Sequence, residues 1–390
     1  MIKITHAPEW RRLVDVTSGL QEAALIKNFF DMPPIKENEI LEIFNRISTM
    51  HNGRLMTTLR AYSSGRSEEH EYKILTSPPR PAESLVSWYK TIFKEDSSAI
   101  ILNRAERWSV QIADFAAQTV SEITNHRPTP DLNVETVLFI GNYGFSPFGI
   151  HKDYDSIKSI HIPLLDTKKS MYLWSEDDYE KLTGCRRNCY DPPSLIHTGI
   201  RYEYALGDLF FLPPNCYHVG YSPNFSVSLA IVLSSSDISD TRDFTPALNA
   251  YYGKGWSGNP VALNLPLVKI IELTENFHKR RKLSNLNLAG TIDYLDDSTL
   301  IEPNKEFSIV SPFKIDYVAR DDLVLYARGK TIRFEGVPNS LYIKELALLF
   351  DALNARFSVS IESASTIIRS VSIDAIVYIF ELLVRCHIIR

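Results

Sequence analysis

The first third of the chain carries hydrophobic residues at helical spacing. Apolar positions recur every three or four residues, which is the period of an α-helix with one buried face. The clearest case is the stretch 108–125, where Ile112, Phe115, Val120 and Ile123 fall on one side. The pattern predicts four helices, over 20–30, 37–50, 81–93 and 108–125. Residues 53–75 are predicted to contain strands.

The pattern changes in the middle of the chain, over residues 134–235. Here short apolar or alternating segments are broken by Gly, Pro, Asn and Asp, which are turn residues. Many short strands with frequent turns indicate a small jelly roll, a barrel-like core of two antiparallel sheets. Such a barrel has inward-facing side chains and an open mouth, so it supplies a pocket.

The last third is predicted to contain a helical connector and a small mixed unit. The connector helix covers 263–283 and ends in the basic run 278–282, which we interpret as a solvated helix end. Strands are then predicted at 313–317, 323–327 and 331–334, with a hairpin turn at 328–330, followed by helices at 340–354, 361–369 and 373–385. The fold class is therefore α+β. Four domains are predicted: a helical part that packs on the barrel (1–130), the barrel (131–237), the connector (238–305) and the C-terminal unit (306–390).

Composition places the chain among globular proteins. It has 390 residues, of which 44% are hydrophobic and 23% charged, and a net charge of −5, so more than one domain and no general attraction to nucleic acid are expected. Four cysteines without a framework spacing suit a reducing cytosol. The N-terminal residues lack the apolar core of a signal peptide, and no run is long enough for a bilayer. We expect a cytoplasmic protein with no membrane partner.

Two histidines and one aspartate have the chemistry and spacing of a metal site. Two imidazoles and one carboxylate hold a non-haem Fe(II) on one face and leave other positions open. On a strand, residues i and i+2 point to the same side, so His151 and Asp153 can bind one ion while Lys152 points away. The third ligand must come from a distant strand, and the turn residues within 207–215 place His218 at the barrel mouth.

Other histidines and cysteines are weaker candidates. His161 lies on a predicted strand and either touches a ligand or is a core histidine. Cys185 and Cys189 have no second pair nearby to complete a zinc site, so they are predicted to be free thiols. Cys216 lies two residues before His218 and is a candidate lining residue, whereas Cys386 belongs to an apolar helix and is predicted to be core.

Three segments resemble the cupin-like, JmjC-type branch of the Fe(II)/2-oxoglutarate oxygenases. They are residues 139–153, 169–174 and 207–214, and the resemblance covers 134–235. That branch includes asparaginyl and ribosomal-protein hydroxylases. The resemblance implies a double-stranded β-helix, an iron held by His151, Asp153 and His218, and 2-oxoglutarate as co-substrate. It also implies that O₂ is used to hydroxylate a peptide, protein or amino-acid side chain, with release of succinate and CO₂.

The resemblance also implies a binding residue for the co-substrate. In that branch a lysine one strand after the His-x-Asp pair binds the distal carboxylate of 2-oxoglutarate, and Lys169 matches this position, with Lys168 as its competitor. Phe148 stands where the family has a threonine, so that contact is absent or supplied differently. Relatives place a hydroxyl or amide beside the lysine. The candidates for this role are Asn142, Tyr143, Ser226 and Ser228.

The sequence leaves alternatives open for the role of the C-terminal unit and for the class of substrate. Residues 306–390 resemble the small winged-helix units of bacterial ribosomal-protein hydroxylases, but their helices lack a concentrated basic face, which favours packing, dimerisation or peptide docking over nucleic-acid binding. A free amino acid or a natural-product intermediate is the alternative substrate. A cupin-type isomerase or dioxygenase without 2-oxoglutarate would not need Lys169, and a non-catalytic binding module would not need intact ligands.

Overall fold

The computed structural model divides into two compact units, Met1–Ser235 and Ser236–Arg390. The first unit combines helices with two antiparallel sheets, and the second combines helices with one small sheet, so the α+β class is confirmed. The residues that the structure describes are 7–51, 56, 58–63, 67–94, 97–128, 132–154, 156–235, 266–296, 301–302, 304–319, 322–334, 340–355 and 358–390.

The first unit carries its longer helices before the strands of the barrel region. Its helices are α1 (Ala7–Val16), α2 (Glu37–Met50), α3 (Ser67–Thr76), α4 (Leu85–Ile92), α5 (Val110–His126), α6 (Glu176–Thr183) and α7 (Pro192–Leu195). Its strands are β1 (Ala24–Ile26), β2 (Leu59–Tyr62), β3 (Ala99–Asn103), β4 (Leu132–Gly141), β5 (Gly144–Phe145), β6 (His151–Lys152), β7 (Lys158–Pro163), β8 (Lys169–Ser175), β9 (Ile200–Tyr204), β10 (Leu209–Leu212), β11 (Cys216–Ser222) and β12 (Ser226–Ser235).

These strands form two sheets that face each other. The larger sheet has the order β1-β10-β7-β12-β4-β3-β2, and the smaller has the order β5-β11-β8-β9, with β6 also paired to β11. Met171 and Leu173 of the smaller sheet share one hydrophobic cluster with Phe210 and Leu212 of the larger. The sides that carry these residues are called the inner faces below.

Local signals set the limits of the helices that were predicted correctly. α5 begins after Ser109, whose hydroxyl accepts a hydrogen bond from the Ile112 amide at 3.1 Å, the usual role of a serine N-cap. α4 begins at Leu85 and not at 81, because the same cap is supplied by Ser84. α2 has the predicted limits, and its buried face is apolar apart from Glu39.

The predicted helix over 20–30 is wrong. This stretch forms turns and the short strand β1, in which Leu25 pairs with Phe210 of β10. Gly19, Leu20 and Asn28 have positive φ values of 70°, 64° and 51°, which a right-handed helix does not allow. Pairing at the edge of the large sheet buries Ile26, and this long-range interaction outweighs the local pattern.

The prediction of strands over residues 53–75 is partly wrong. β2 lies within it, but Ser67–Thr76 is the helix α3. Glu71 on this helix is buried and accepts a hydrogen bond from the backbone amide of Ala61 in β2, so the helix is fixed against the strand. The amino-terminal region is thus not purely helical, since it adds β1, β2 and β3 to the larger sheet. Residues 52–55, 57 and 64–66 lie outside the described residues.

The second unit contains one three-stranded antiparallel sheet and four helices among its described residues. Residues 328–329 form the hairpin turn with φ values of 45° and 75°, the left-handed conformation that a two-residue hairpin requires. The first predicted strand is shifted toward the C-terminus, and residues 263–265 of the predicted connector helix lie outside the described part. The elements are α8 (Leu267–Leu283), β13 (Asp316–Ala319), β14 (Leu323–Ala327), β15 (Lys330–Phe334), α9 (Ser340–Asn354), α10 (Ile361–Ile367) and α11 (Ile373–Arg385).

Amphipathic helices close the core of the second unit. Leu346 and Phe350 of α9 pack with Phe380 of α11 and with Leu325 of β14, and Cys386 is buried in the same cluster, as predicted. Among the residues that the structure describes, no helix is both long and apolar enough to cross a membrane.

Candidate metal centre

Backbone pairing brings the three predicted metal ligands together. β6 pairs with β11 so that His151 lies directly opposite His218. Their ring centroids are 4.3 Å apart, and Nε2 of His151 is 3.8 Å from Oδ1 of Asp153. One ligand atom from each of the three residues lies within 4.8 Å of the others, close enough for one ion.

Both imidazoles are oriented by backbone carbonyls. Nδ1 of His151 is 3.0 Å from the Gly149 oxygen, and Nδ1 of His218 is 3.3 Å from the Cys216 oxygen. A carbonyl can only accept a hydrogen bond, so Nδ1 carries a hydrogen, and in the neutral form of the ring the lone pair is on Nε2. This second hydrogen bond is typical of metal-binding histidines. Burial and the nearby His151 lower the pKa of His218 to about 4, which keeps its ring neutral at pH 7.

A close backbone approach fixes the position of His151. Ile150 exchanges two backbone hydrogen bonds with Cys189, at 2.8 and 2.9 Å. Gly149 has a φ of 67°, and a Cβ there would lie 2.3 Å from the Cys189 oxygen, so a side chain is excluded. The glycine therefore allows the 185–190 loop to hold the strand that carries His151, the first predicted ligand.

Lys152, which follows His151, and Tyr217, which precedes His218, point to the opposite side of the smaller sheet. Lys152 is 3.3 Å from Glu176 at the start of α6, and Tyr217 stacks on Tyr179 of α6 with ring centroids 3.7 Å apart. The alternation that was expected for a strand is therefore observed at both histidines. It directs the two histidines inward and their neighbours Lys152 and Tyr217 toward the covering helix.

Lys169 and Lys168 occupy very different environments. Lys169 is 4% exposed on the inner side, and its Nζ donates to the hydroxyls of Tyr143 and Ser228, each at 2.8 Å. Lys168 has a side chain that is 75% exposed and pairs with Glu203 at 3.1 Å. Burial lowers the pKa of Lys169 to about 7 and raises the pKa of Tyr143.

Two of the four candidate partners of the lysine therefore touch it. The other two are used elsewhere: Asn142 accepts from the Tyr89 hydroxyl at 3.5 Å, and Ser226 donates to the Gly141 oxygen at 3.4 Å. Tyr143 follows the end of β4 at Gly141, and Ser228 lies near the start of β12, which pairs with that end of β4, so both reach the same ammonium. Their role in binding a co-substrate stays a prediction at this point.

His161 is buried on the inner face of the larger sheet. Its Nε2 lies 2.9 Å from the Ser159 hydroxyl, and its ring packs near Phe210. Burial, together with His218 and Lys169, lowers its pKa to about 3, so the ring is neutral at pH 7. In the larger sheet this histidine lies opposite Ala230, two residues from the Ser228 that contacts the buried lysine.

Two features of the site are not apparent from single motifs. Phe148, which replaces the expected threonine, packs edge-to-face on His151 with centroids 5.4 Å apart, and Tyr62 packs on Phe148 in turn. Gly220 lies two residues after His218 on the inner face, and a Cβ there would meet no heavy atom within 4 Å. The alternation of β11 would have indicated Gly220 as an inward position without a side chain.

The cysteines agree with their sequence-based interpretation. All four are free thiols. Cys216 packs against the inner-face cluster of Met171, Leu173, Phe210 and Leu212, and burial raises its pKa. Cys185 is exposed, and the thiol of Cys189 donates to the Asp191 oxygen at 3.5 Å.

Comparisons with known proteins found distant structural likenesses. No protein-family model and no curated protein matches the chain. The YcfD ribosomal oxygenase of Escherichia coli in complex with cobalt and 2-oxoglutarate is 13% identical, with a TM-score of 0.45 over 94% of each chain. An X-ray structure of E. coli ycfD is 11% identical, with a TM-score of 0.47 over 97% of each chain. The epimerase SnoN in complex with Fe³⁺, alpha ketoglutarate and nogalamycin RO is 10% identical, with a TM-score of 0.32 over 58% of this chain and 84% of that one.

Proposed function

We propose that this protein is an Fe(II)/2-oxoglutarate-dependent oxygenase that hydroxylates a peptide, protein or amino-acid side chain. The observation that carries the proposal is a buried lysine, which has no carboxylate partner among the residues that the structure describes, in the same interior as a His-Asp-His cluster. The strand orders of the two facing sheets support a double-stranded β-helix as the core.

The residues of the cluster fit Fe(II). Two imidazoles that offer Nε2 and one carboxylate on one side of the ion are the donor set of non-haem iron oxygenases. His151, Asp153 and His218 would hold the metal, and the backbone contacts of both Nδ1 atoms keep the rings in place. With 2-oxoglutarate and O₂, the iron supplies the oxidation that hydroxylates a C–H bond and releases succinate and CO₂.

The surroundings of Lys169 fit the distal carboxylate of 2-oxoglutarate. Both of its hydrogen-bond partners are neutral hydroxyls, and among the described residues no carboxylate pairs with its ammonium. A buried charge of this kind is costly unless an opposite charge is brought to it. A dicarboxylate that reaches the metal with its other end would supply that charge, which is the reason to prefer this function over a cupin enzyme that does not use 2-oxoglutarate.

The pKa of Lys169 predicts a pH dependence of co-substrate binding. A carboxylate pairs with the protonated ammonium, so binding favours the form of the free protein that exists below its pKa of about 7. We expect the affinity for 2-oxoglutarate to be constant below that pH and to fall about tenfold per pH unit above it. Calorimetric titration of the Mn(II)-loaded protein between about pH 6 and 9 measures this slope.

The arginine variant provides the control for this slope. A guanidinium stays protonated over this pH range. The affinity of the Lys169→Arg variant for 2-oxoglutarate is therefore expected not to fall with pH, even if the affinity itself differs from that of the native protein. An affinity of the native protein that does not change with pH would contradict the assignment of Lys169.

The activity itself is tested by incubating the protein with Fe(II), 2-oxoglutarate and O₂. Succinate is measured with and without candidate peptides and metabolites, and mass spectrometry detects a mass gain of one oxygen. The matched control is the protein with His151→Ala, which lacks one proposed ligand. If native protein and control formed succinate at the same rate, the proposal would be wrong.

Exposed aromatic side chains beside the metal ligands favour a peptide or protein substrate over a free amino acid or natural-product intermediate. Tyr154 follows Asp153 and is 70% exposed, and Tyr190 follows Cys189 and is 76% exposed. Aromatic side chains of this kind are enriched where proteins bind one another. A substrate that extends beyond the pocket could contact both rings, whereas a small enclosed substrate would leave them in solvent.

Residues 306–390 are proposed to form a winged-helix-like domain that serves assembly, as in a homodimer, or substrate docking. Its apolar helix faces are used in its own core, and its His387 pairs with Asp296 at 3.4 Å. We expect truncation after Ser235 to leave Mn(II) and 2-oxoglutarate affinities within about threefold of the native values and to alter the oligomeric state or the recognition of a large substrate. Loss of metal binding by a truncated protein that keeps its circular dichroism would contradict this assignment.

A further inference from the structure

His161 and Gly220 face the interior between the metal ligands and Lys169. In the larger sheet His161 lies opposite Ala230, two residues from the Ser228 that holds the lysine. In the smaller sheet Gly220 lies opposite Met171, between the level of His218 and that of Lys169. Residues directly opposite each other in an antiparallel pair share a face, so both positions belong to the inner lining.

The imidazole of His161 has one nitrogen engaged and one available. Nε2 is paired with the Ser159 hydroxyl, and among the residues that the structure describes Nδ1 has no hydrogen-bond partner. A serine hydroxyl can donate to Nε2, which leaves the hydrogen of the neutral ring on Nδ1. A buried N–H beside a cation and a metal site is suited to donate to an anionic or carbonyl oxygen.

Gly220 leaves open space on the same lining. Its neighbour Val219 is fully buried on the outer side of the sheet, so space next to Gly220 can lie only on the inner side. A Cβ at Gly220 would have no heavy atom within 4 Å, and its φ is not in the left-handed region. The backbone therefore accepts a side chain here, and the absence of one keeps part of the interior empty.

We propose that His161 and Gly220 form the middle of the 2-oxoglutarate site, with His161 donating from Nδ1 to the co-substrate and Gly220 providing the room for its carbon chain. This inference rests on the proposed function. His161 is a positioning residue in this arrangement, because it fixes the co-substrate between the metal and Lys169. Gly220 sets the free width of the site.

The test of His161 uses the full chain with Mn(II) as a redox-stable probe in place of iron. His161→Leu removes the donor at similar size and is expected to weaken 2-oxoglutarate binding about ten- to hundredfold, while Mn(II) affinity, measured by electron paramagnetic resonance, stays within about twofold. His161→Asn places an amide N–H near the original Nδ1 and should restore most of the affinity. The exposed His197→Leu is the matched control and should change neither affinity.

The test of Gly220 fills the open space in steps. Gly220→Ala should weaken 2-oxoglutarate binding, and Gly220→Val, a residue suited to a strand, should abolish it, both with native Mn(II) affinity and native thermal unfolding. If Gly220→Val binds 2-oxoglutarate normally, the space has no role in the site.

The outcomes separate this inference from the proposed function. If the Mn(II)-loaded native protein binds no 2-oxoglutarate, the proposed function and the inference both fail. If the native protein binds it and His161→Leu binds it equally well, only the inference is overturned. An equal loss in His161→Leu and His161→Asn, or a loss of Mn(II) affinity in either, would show that His161 supports the fold or the metal ligands and does not position the co-substrate.

Discussion

Replacing His218 with asparagine or alanine is expected to abolish turnover and to weaken metal binding by more than about a hundredfold. Changes to residues that only support a metal ligand already cost ten- to a hundredfold, and His218 is itself proposed as a ligand. It is buried and lies opposite His151, so its replacement removes one of the two proposed nitrogen donors from the centre of the cluster. Electron paramagnetic resonance of Mn(II) and succinate formation measure the two effects.

The comparison of two replacements controls for folding. Alanine leaves a cavity at a buried site and lowers stability, whereas asparagine keeps polarity and more of the volume. The exposed His197→Ala is expected to retain native metal affinity and activity. Normal turnover by a folded His218 variant would mean that a different residue completes the metal site.

Replacing Lys169 with methionine is expected to weaken 2-oxoglutarate binding by about a hundredfold or more and to leave Mn(II) affinity nearly unchanged. Methionine retains the apolar stem and removes the charge that the distal carboxylate would pair with. Among the described residues, the hydrogen-bond partners of the buried ammonium are hydroxyls and not carboxylates, so its removal breaks no ion pair there. Calorimetric titration of 2-oxoglutarate into the Mn(II)-loaded protein measures the change.

Lys168→Met is the matched control. Lys168 is exposed and pairs with Glu203 at the surface, so its loss is expected to be neutral for co-substrate affinity and nearly neutral for stability. A large loss of affinity with Lys168→Met and none with Lys169→Met would reverse the assignment of the two lysines.

The parts of the site that depend on local chain geometry were predictable from the sequence. The two-residue period of a strand places His151 and Asp153 on one side, and both turns before His218 are observed. Gly207 and Asn215 have φ values of 87° and 62°, the conformation for which these residue types are suited. Each of these inferences uses only residues that are near in sequence.

The parts that depend on register between distant strands were not predictable. β1 exists because the edge of β10 is available to pair with it, which nothing within residues 20–30 specifies. The choice of Tyr143 and Ser228 over the other two candidates follows from how the two sheets face each other. The role proposed for Gly220 requires knowing that the space beside it is empty, and this is a property of the packed interior.

The short length of β6 makes the 185–190 loop part of the metal centre, although no proposed ligand comes from it. A strand of two residues has little order of its own, and His151 is fixed by β11 on one side and by the Ile150–Cys189 bridge next to it. Local opening of the loop would break both of its hydrogen bonds to Ile150 and increase the mobility of the His151 imidazole. Sequence changes in this loop would therefore alter the affinity for the proposed iron by changing the conformational entropy of His151 and not the coordination chemistry.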